Sequence, residues 1–292
     1  MKLYCTRIAI AAFAAAVSAA SPLPPAKAQS LHISELASHT HVHGLAVDRL
    51  DPEYLLIATH HGLFRAGPEG NAERVSVLQD LMGFNPHPRD SSTLYASGHP
   101  AQGGNLGFIA SSDGGKTWRQ ISPGVDGPVD FHQMTVSPAD PQTIYGAYDG
   151  LQASYDGGKR WAVIGPVPDR LIDLAASAKN SRTLYAGTEG GLLVSRDGGV
   201  TWEALLQGAP VSMVEVAPGG KLYAFMLGRG LLASAEDPLE FQTVSGEWGN
   251  VFLLHLTVDP GNPDQLFAAT QSGLVLASAD GGKTWQPFGA PG

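Results

Sequence analysis

The sequence predicts an all-β fold, a six-bladed β-propeller, and three recurring features predict it. A Gly-rich motif repeats four times nearly intact, as SSDGGKTW at 111, SYDGGKRW at 154, SRDGGVTW at 195 and SADGGKTW at 278. A segment such as Leu94-Tyr95-Ala96 precedes the motif, and a short alternating segment such as HGLAVD precedes that one in turn. Short β-prone runs separated by Gly, Pro and Asp, with a period of roughly 40 residues, are typical of four-stranded propeller blades.

Two degenerate copies raise the number of repeats to six. They read FRAGPEGNAERV from Phe64 and SAEDPLEF from Ser234. We therefore expect a single propeller domain over residues 29–292, with blades at approximately 43–78, 82–122, 130–165, 171–205, 210–245 and 251–289.

The repeated motif is interpreted as a structural hairpin device. Asp113 and its equivalents can accept backbone N–H bonds within the turn, and the glycines supply positive φ. The tryptophan that ends each motif is expected to pack against its blade. A calcium site is not indicated, because it needs six to eight oxygen ligands and each motif offers one carboxylate.

The first 28 residues have the features of a secretory signal peptide. Lys2 and Arg7 precede an apolar run over residues 8–20, and a small-residue site follows at 26–28. We expect cleavage before Gln29 and a periplasmic or secreted protein. The single cysteine, Cys5, lies in this segment, so disulfides and thiolate ligands are not expected in the exported chain.

Charge and hydropathy exclude two classes of partner. The chain carries 18 basic and 27 acidic residues, a net charge of −9; without Lys2, Arg7 and Lys27 the balance is 15 against 27, or −12. Such an acidic chain is not expected to bind nucleic acid. No segment after the signal approaches the roughly 20 apolar residues of a membrane span. We also expect the protein to be a monomer.

Six of the ten histidines map to one end of the predicted propeller, and all six belong to the first three blades. His41 and His43 lie at the start of a first strand, His60, His61 and His99 in turns between second and third strands, and His132 at the start of the third blade. The matching positions of later blades hold no histidine; they are Arg170, Ile172, Pro210, Ser212, Phe252 and Leu254.

These histidines are candidate ligands for a transition metal, with Asp130 or Met82 as partners. Imidazole suits zinc, copper and nickel, and a site that includes a thioether favours copper. The open alternative is that the histidines form hydrogen bonds at turns and strand ends.

The pattern Ser-x-Asp-x-Gly-x-Thr-Trp resembles the BNR or Asp-box repeat of sialidases, sortilin-type receptors and photosystem assembly factors. Segments such as HVHGLAVD, ATHHGLF and DFHQM are also similar to exported bacterial propellers labelled glycosyl hydrolase or exo-sialidase-like. The resemblance implies the fold, and such a widely used fold does not determine function.

Glycoside hydrolysis is the enzymatic alternative that this resemblance suggests. Most such enzymes use two carboxylates, for which Asp130, Asp149 and Glu189 are candidates, together with Asp173. Sialidases also use three arginines and an Arg-Ile-Pro motif, whereas Arg170 and Arg229 alone map near this end and the first strand reads HVHGL. Sialidase activity is therefore not expected.

A noncatalytic binding or assembly protein is the favoured interpretation. Propellers commonly present loops on a rigid scaffold, and here the His-rich end or the loop GHPAQGGNLGF would face a protein or a glycan.

Overall fold

The computed structural model describes residues 30–290, and it is a six-bladed β-propeller, as the sequence predicts. The predicted signal peptide and Cys5 lie outside the described residues. No helix among residues 30–290 is long and apolar enough to span a membrane.

Each blade is an antiparallel sheet of consecutive strands. Blade 1 contains β2 (Val42–Val47), β3 (Leu55–Thr59), β4 (Gly62–Ala66) and β5 (Asn71–Arg74). Blade 2 contains β6 (Gln79–Pro86), β7 (Leu94–Pro100), β8 (Phe108–Ser111) and β9 (Arg119–Ser122). Blade 3 contains β10 (Gln133–Val136), β11 (Ile144–Ala147), β12 (Leu151–Ser154) and β13 (Ala162–Gly165).

The remaining blades follow the same order. Blade 4 contains β14 (Leu171–Ala176), β15 (Leu184–Thr188), β16 (Gly191–Ser195) and β17 (Glu203–Gln207). Blade 5 contains β18 (Val211–Val216), β19 (Lys221–Met226), β20 (Gly230–Ala235) and β21 (Gln242–Ser245). Blade 6 contains β22 (Leu253–Asp259), β23 (Asn262–Thr270), β24 (Val275–Ser278) and β25 (Gln286–Pro287).

The first strand of every blade lies innermost, and these six strands enclose a central channel. Each inner strand contacts the inner strand of the next blade, and β2 contacts β22 to complete the ring. The channel has a volume of about 780 Å³, and its lining includes His41, His43, His132 and His255.

The segment before blade 1 forms two short elements. Strand β1 (Ser30–His32) pairs antiparallel with β5, and helix α1 (Ile33–His39) follows. The helix begins with a capping box, because the His32 side chain accepts the Ser34 backbone N–H and Glu35 accepts that of His32. Ile33 and Leu36 are buried in the apolar cluster shared by blades 1 and 6.

The Gly-rich motifs form the turns between third and fourth strands, as predicted. In blade 2, Asp113 accepts the Thr117 backbone N–H at 2.9 Å and its hydroxyl at 2.6 Å. Ser111 Oγ accepts the Gly115 backbone N–H at 2.9 Å, and Trp118 Nε1 donates to the Gly115 carbonyl. These hydrogen bonds hold the turn closed, so the polar side chains of the motif have a structural role.

The motif tryptophans also pack blade against blade. The Trp161 ring lies 5.4 Å from Phe108 and 4.8 Å from Phe131, between blades 2 and 3. Gly158 has a φ of +81°, and a Cβ there would collide with the Phe108 ring. Glycine at this position therefore permits both the turn and the interblade contact.

Candidate metal-binding site

Two groups of potential metal ligands converge at one end of the propeller. The first triad consists of His43, His60 and Asp80, and the second triad consists of His99, Asp130 and His132. The ligand atoms within each triad lie within 4.8 Å of one another. Donors that share a tetrahedral ion at about 2.1 Å lie about 3.4 Å apart, so the donors of each triad are close enough to converge on one ion with small side-chain adjustments.

The first triad joins blades 1 and 2. His43 belongs to β2, His60 to the turn after β3, and Asp80 to β6. His43 Nε2 lies 3.1 Å from both ring nitrogens of His60, and His60 Nδ1 lies 2.8 Å from Asp80 Oδ2. The ladder between β2 and β3 skips His43, and such a bulge redirects a side chain relative to a regular strand.

Protons alone can satisfy the close nitrogen contacts of the first triad. His60 can donate from Nδ1 to Asp80 and accept at Nε2 from His43 Nε2. Burial, followed by the charge of His60, lowers the pKa of His43 to about 4. The His43 imidazole is therefore neutral at physiological pH, which is the form that binds a metal.

The second triad joins blades 2 and 3. His99 belongs to β7, and Asp130 and His132 immediately precede β10. Asp130 Oδ2 lies 2.9 Å from His99 Nε2 and 2.7 Å from His132 Nε2. The Asp130 side chain is 6% exposed, so this carboxylate meets its partners in a largely dry setting.

The tautomer of His99 affects its contact with Asp130 in the second triad. Its Nδ1 lies 2.8 Å from the Gly104 carbonyl oxygen, which can only accept, so Nδ1 carries a proton. In the neutral tautomer the Nε2 lone pair would then face the Asp130 carboxylate at 2.9 Å. A cation between these two atoms, either a proton or a metal ion, removes that repulsion.

A proton already participates on the other side of Asp130. The hydrogen bond with Asp130 raises the pKa of His132.

The contact between His99 and the Gly104 carbonyl also has the form found behind metal-bound histidines, whose second nitrogen commonly donates to a carbonyl or a carboxylate.

Each triad contains a carboxylate oxygen without a hydrogen-bond partner. Within the part of the chain that the structure describes, Asp80 Oδ1 and Asp130 Oδ1 are buried side-chain oxygens that accept no hydrogen bond. Buried polar atoms in folded proteins nearly always have partners, so each of these oxygens is available to a cation or to a hydrogen-bond donor such as water.

Four of the six predicted histidines belong to the triads, and two do not. The His41 ring is exposed, with its centroid 5.4 Å from that of His60, and His61 is exposed in the same turn. Of the predicted partners, Asp130 lies in the second triad, whereas Met82 is a buried residue that lines the channel.

The candidate catalytic carboxylates lie in different settings. Asp130 is held by two histidines, and Glu189 forms an ion pair with Arg170. Asp149 occupies a turn with φ of 47°, and Asp173 accepts the backbone N–H groups of Leu174 and Val214.

Two functional-end residues escaped the sequence interpretation. Asp80, a ligand of the first triad, is not among the predicted ligands, because its pairing with His60 crosses a blade boundary. His255 of β22 lies one position beyond the residue equivalent to His43, and its Nε2 lies 3.3 Å from the Val42 carbonyl. Burial lowers the pKa of His255 to about 4, so this ring is neutral behind the first triad.

Comparison with known proteins identifies the fold and leaves the function open. No protein-family model matches the sequence, and a search of curated proteins also found no match. Solved structures match well beyond chance, among them a GH74 xyloglucanase from Xanthomonas campestris, with 19% identity, a TM-score of 0.56, and coverage of 85% of this chain and 45% of that one. The chain spans less than half the length of the GH74 structures that it matches.

Structures with quite different descriptions match equally well. A structure of YCF48 bound to a D1 peptide has 17% identity and a TM-score of 0.53, with coverage of 91% of this chain and 85% of that one. The extracellular domain of a putative hybrid two-component system from B. thetaiotaomicron has 15% identity and a TM-score of 0.56, with coverage of 85% and 33%. At such identities the likeness establishes the β-propeller fold of this chain and nothing finer.

Proposed function

We propose that the protein is an exported, noncatalytic binding or assembly propeller whose His-rich end binds a divalent transition metal. The observation that carries this proposal is the second triad, where the protonated Nδ1 of His99 directs Nε2 at the buried Asp130 carboxylate. A metal ion there would satisfy His99, His132 and the unpartnered Asp130 oxygen together.

The donor set favours particular metals. Each triad offers two imidazole nitrogens and one carboxylate, a combination that suits zinc(II) and copper(II) and leaves a coordination position open. The imidazole and carboxylate donors of the triads do not by themselves favour copper over zinc.

The fold supports a binding role around this end. The triads lie on strand ends and turns of a rigid ring, where a partner could reach the exposed parts of His60, His99 and His132. One matching propeller is described with a bound peptide, and we propose an extended peptide or a glycan as the partner class here.

Calorimetric titration of the untagged protein with zinc(II) and copper(II) tests the metal proposal. We expect His99→Ala and His132→Ala to weaken metal binding by about 10- to 100-fold or more, since loss of outer partners alone costs that much. His61→Ala is the matched control, because His61 neighbours His60 but lies outside both triads. The proposal fails if neither metal binds stoichiometrically, or if His61→Ala weakens binding as much as His99→Ala.

Glycoside hydrolysis remains the alternative, and two observations disfavour it. Asp130 contacts His99 and His132, and Glu189 contacts Arg170, so the observed partners of both carboxylates are basic side chains. Assays of chromogenic glycosides decide the matter: turnover that Asp130→Asn, Asp149→Asn or Glu189→Gln abolishes would establish a hydrolase.

A further inference from the structure

We propose that the two triads form one dinuclear metal centre, in which a metal ion bound at one triad changes the affinity of the other triad for its ion. This inference rests on the proposed metal-binding function and deepens it. Two independent mononuclear sites are the contrasting arrangement.

The two triads meet on one β-hairpin. Asp80 of the first triad and His99 of the second are directly paired partners in the antiparallel ladder between β6 and β7. Side chains of directly opposite residues project from the same face, with Cβ atoms about 4.5–5.5 Å apart. One ligand of each triad therefore lies within a side-chain length of the other on a rigid hairpin.

The carboxylates provide the capacity for a second ion. Asp80 uses Oδ2 for His60, and Asp130 uses Oδ2 for both of its histidines. The second oxygen of each, Oδ1, is buried and accepts no hydrogen bond among the described residues. A carboxylate can bind one cation through each oxygen. The two aspartates therefore offer more oxygen donors than two isolated three-ligand sites would use.

The closeness of the triads also couples their charges. Because Asp80 and His99 are directly paired across the ladder between β6 and β7, an ion bound in either triad would lie close to a ligand of the other. A divalent ion in one triad would therefore change the electrostatic potential at the other.

The net charge predicts the sign of this coupling. With neutral imidazoles the six residues carry two negative charges, which one divalent ion neutralises. A second ion then enters a neutral centre beside a bound dication, so it binds more weakly. We expect the second dissociation constant to exceed the first by about tenfold or more.

Copper(II) titration followed by electron paramagnetic resonance tests the proposal on the untagged full chain. The first equivalent should give a mononuclear spectrum of full spin intensity. The second should give a broadened spectrum whose integrated intensity falls below that of two spins, together with a half-field transition. These features require two copper ions close enough to couple.

Variants assign the coupled signal to the triads. His43→Gln and His132→Gln should each leave one copper ion with full spin intensity and no half-field transition, and His61→Gln should keep the coupled spectrum. Thermal unfolding of each variant shows whether it retains the fold.

The outcomes separate this inference from the function on which it rests. Two copper ions with narrow, additive spectra would overturn the dinuclear centre and leave metal binding intact, and saturation at one equivalent would do the same. Failure to bind copper or zinc would overturn both proposals.

Discussion

Two carboxyl groups in the central channel have pKa values far from their usual range. Asp173 of β14 accepts the N–H of Leu174 at 2.9 Å and that of Val214 at 2.8 Å, which links blades 4 and 5. Burial nevertheless raises the pKa of Asp173 to about 7. Burial and the charge of Asp173 raise the pKa of Glu215 to about 8.

These pKa values predict that stability decreases with rising pH. A carboxyl group whose pKa is higher in the folded state than in the unfolded state binds its proton more tightly when folded. Its stabilising effect is complete below about pH 4 and is lost as the pH rises through about 7 for Asp173 and about 8 for Glu215.

Glu215→Gln should remove part of this pH dependence. The amide cannot ionise, so we expect the variant to gain stability over the native protein at pH 8.5 and to differ little at pH 4. Thermal melts at both pH values measure this, with a shift of about 2–4 °C for each kcal/mol. The exposed Glu69→Gln is the control, and an equal effect of Glu215→Gln at both pH values would contradict the account.

At the level of single residues, the sequence was informative about histidine positions and silent about partners. Strand alternation and repeat alignment place His43, His60, His99 and His132 at one end. They cannot show that Asp80 pairs with His60, because that contact depends on how far one blade is rotated against the next. His255 was missed for the same reason, since its carbonyl partner lies across the ring seam.

The turn motif is the element that repeats most closely along the chain. We expect its aspartate to contribute more to the stability of the fold than an ordinary surface residue does. Asp113 accepts bonds from the Thr117 backbone, the Thr117 hydroxyl and the Ser111 hydroxyl. These bonds lower the pKa of Asp113 to about 2, so this contribution to stability is present above about pH 4 and is lost as the pH falls through 2.

Asp113→Ala should destabilise the protein by about 0.5–2 kcal/mol, the range found when a side-chain oxygen that accepts local backbone N–H bonds at a helix cap is removed. Urea unfolding at pH 7 measures the free energy of unfolding. Asp169→Ala, at an exposed residue outside the motifs, is the matched control. Equal losses for the two variants would show that the motif aspartate has no special role.

The two degenerate repeats were recognised by position, and the structure explains how one of them tolerates its divergence. In blade 5 the serine remains: Ser234 Oγ accepts the Glu240 backbone N–H at 2.6 Å, where Ser111 accepts that of Gly115. A hydrogen bond to the serine hydroxyl thus closes this turn as well, although the turn lacks the paired glycines of the other motifs.

The whole ring closes without exchanging a strand between its two ends. Blades 1 and 6 are each built from consecutive strands, and β1 adds a fifth strand to blade 1 on the side away from the channel. The seam is filled by Leu36 of α1, which is fully buried, and by Phe288, whose ring lies 5.5 Å from Phe267. The sequence left residues 29–40 unassigned because a short, unrepeated segment has no periodicity to interpret.

Leu36→Ala should therefore weaken the closed ring. Truncation of a buried leucine costs about 2–5 kcal/mol, whereas Leu50→Ala, at a residue 61% exposed, should cost less than about 0.5 kcal/mol. Equilibrium unfolding in urea compares the two. If Leu36→Ala proved as mild as Leu50→Ala, α1 would not contribute to closure.

Metal-edge anomalous scattering from crystals grown with zinc(II) or copper(II) tests the central claim most directly. The account predicts a peak about 2.0–2.2 Å from His99 Nε2, His132 Nε2 and an Asp130 oxygen, and a second peak at the first triad. Peaks confined to other surface residues, or none at saturating metal, would contradict metal binding at the His-rich end.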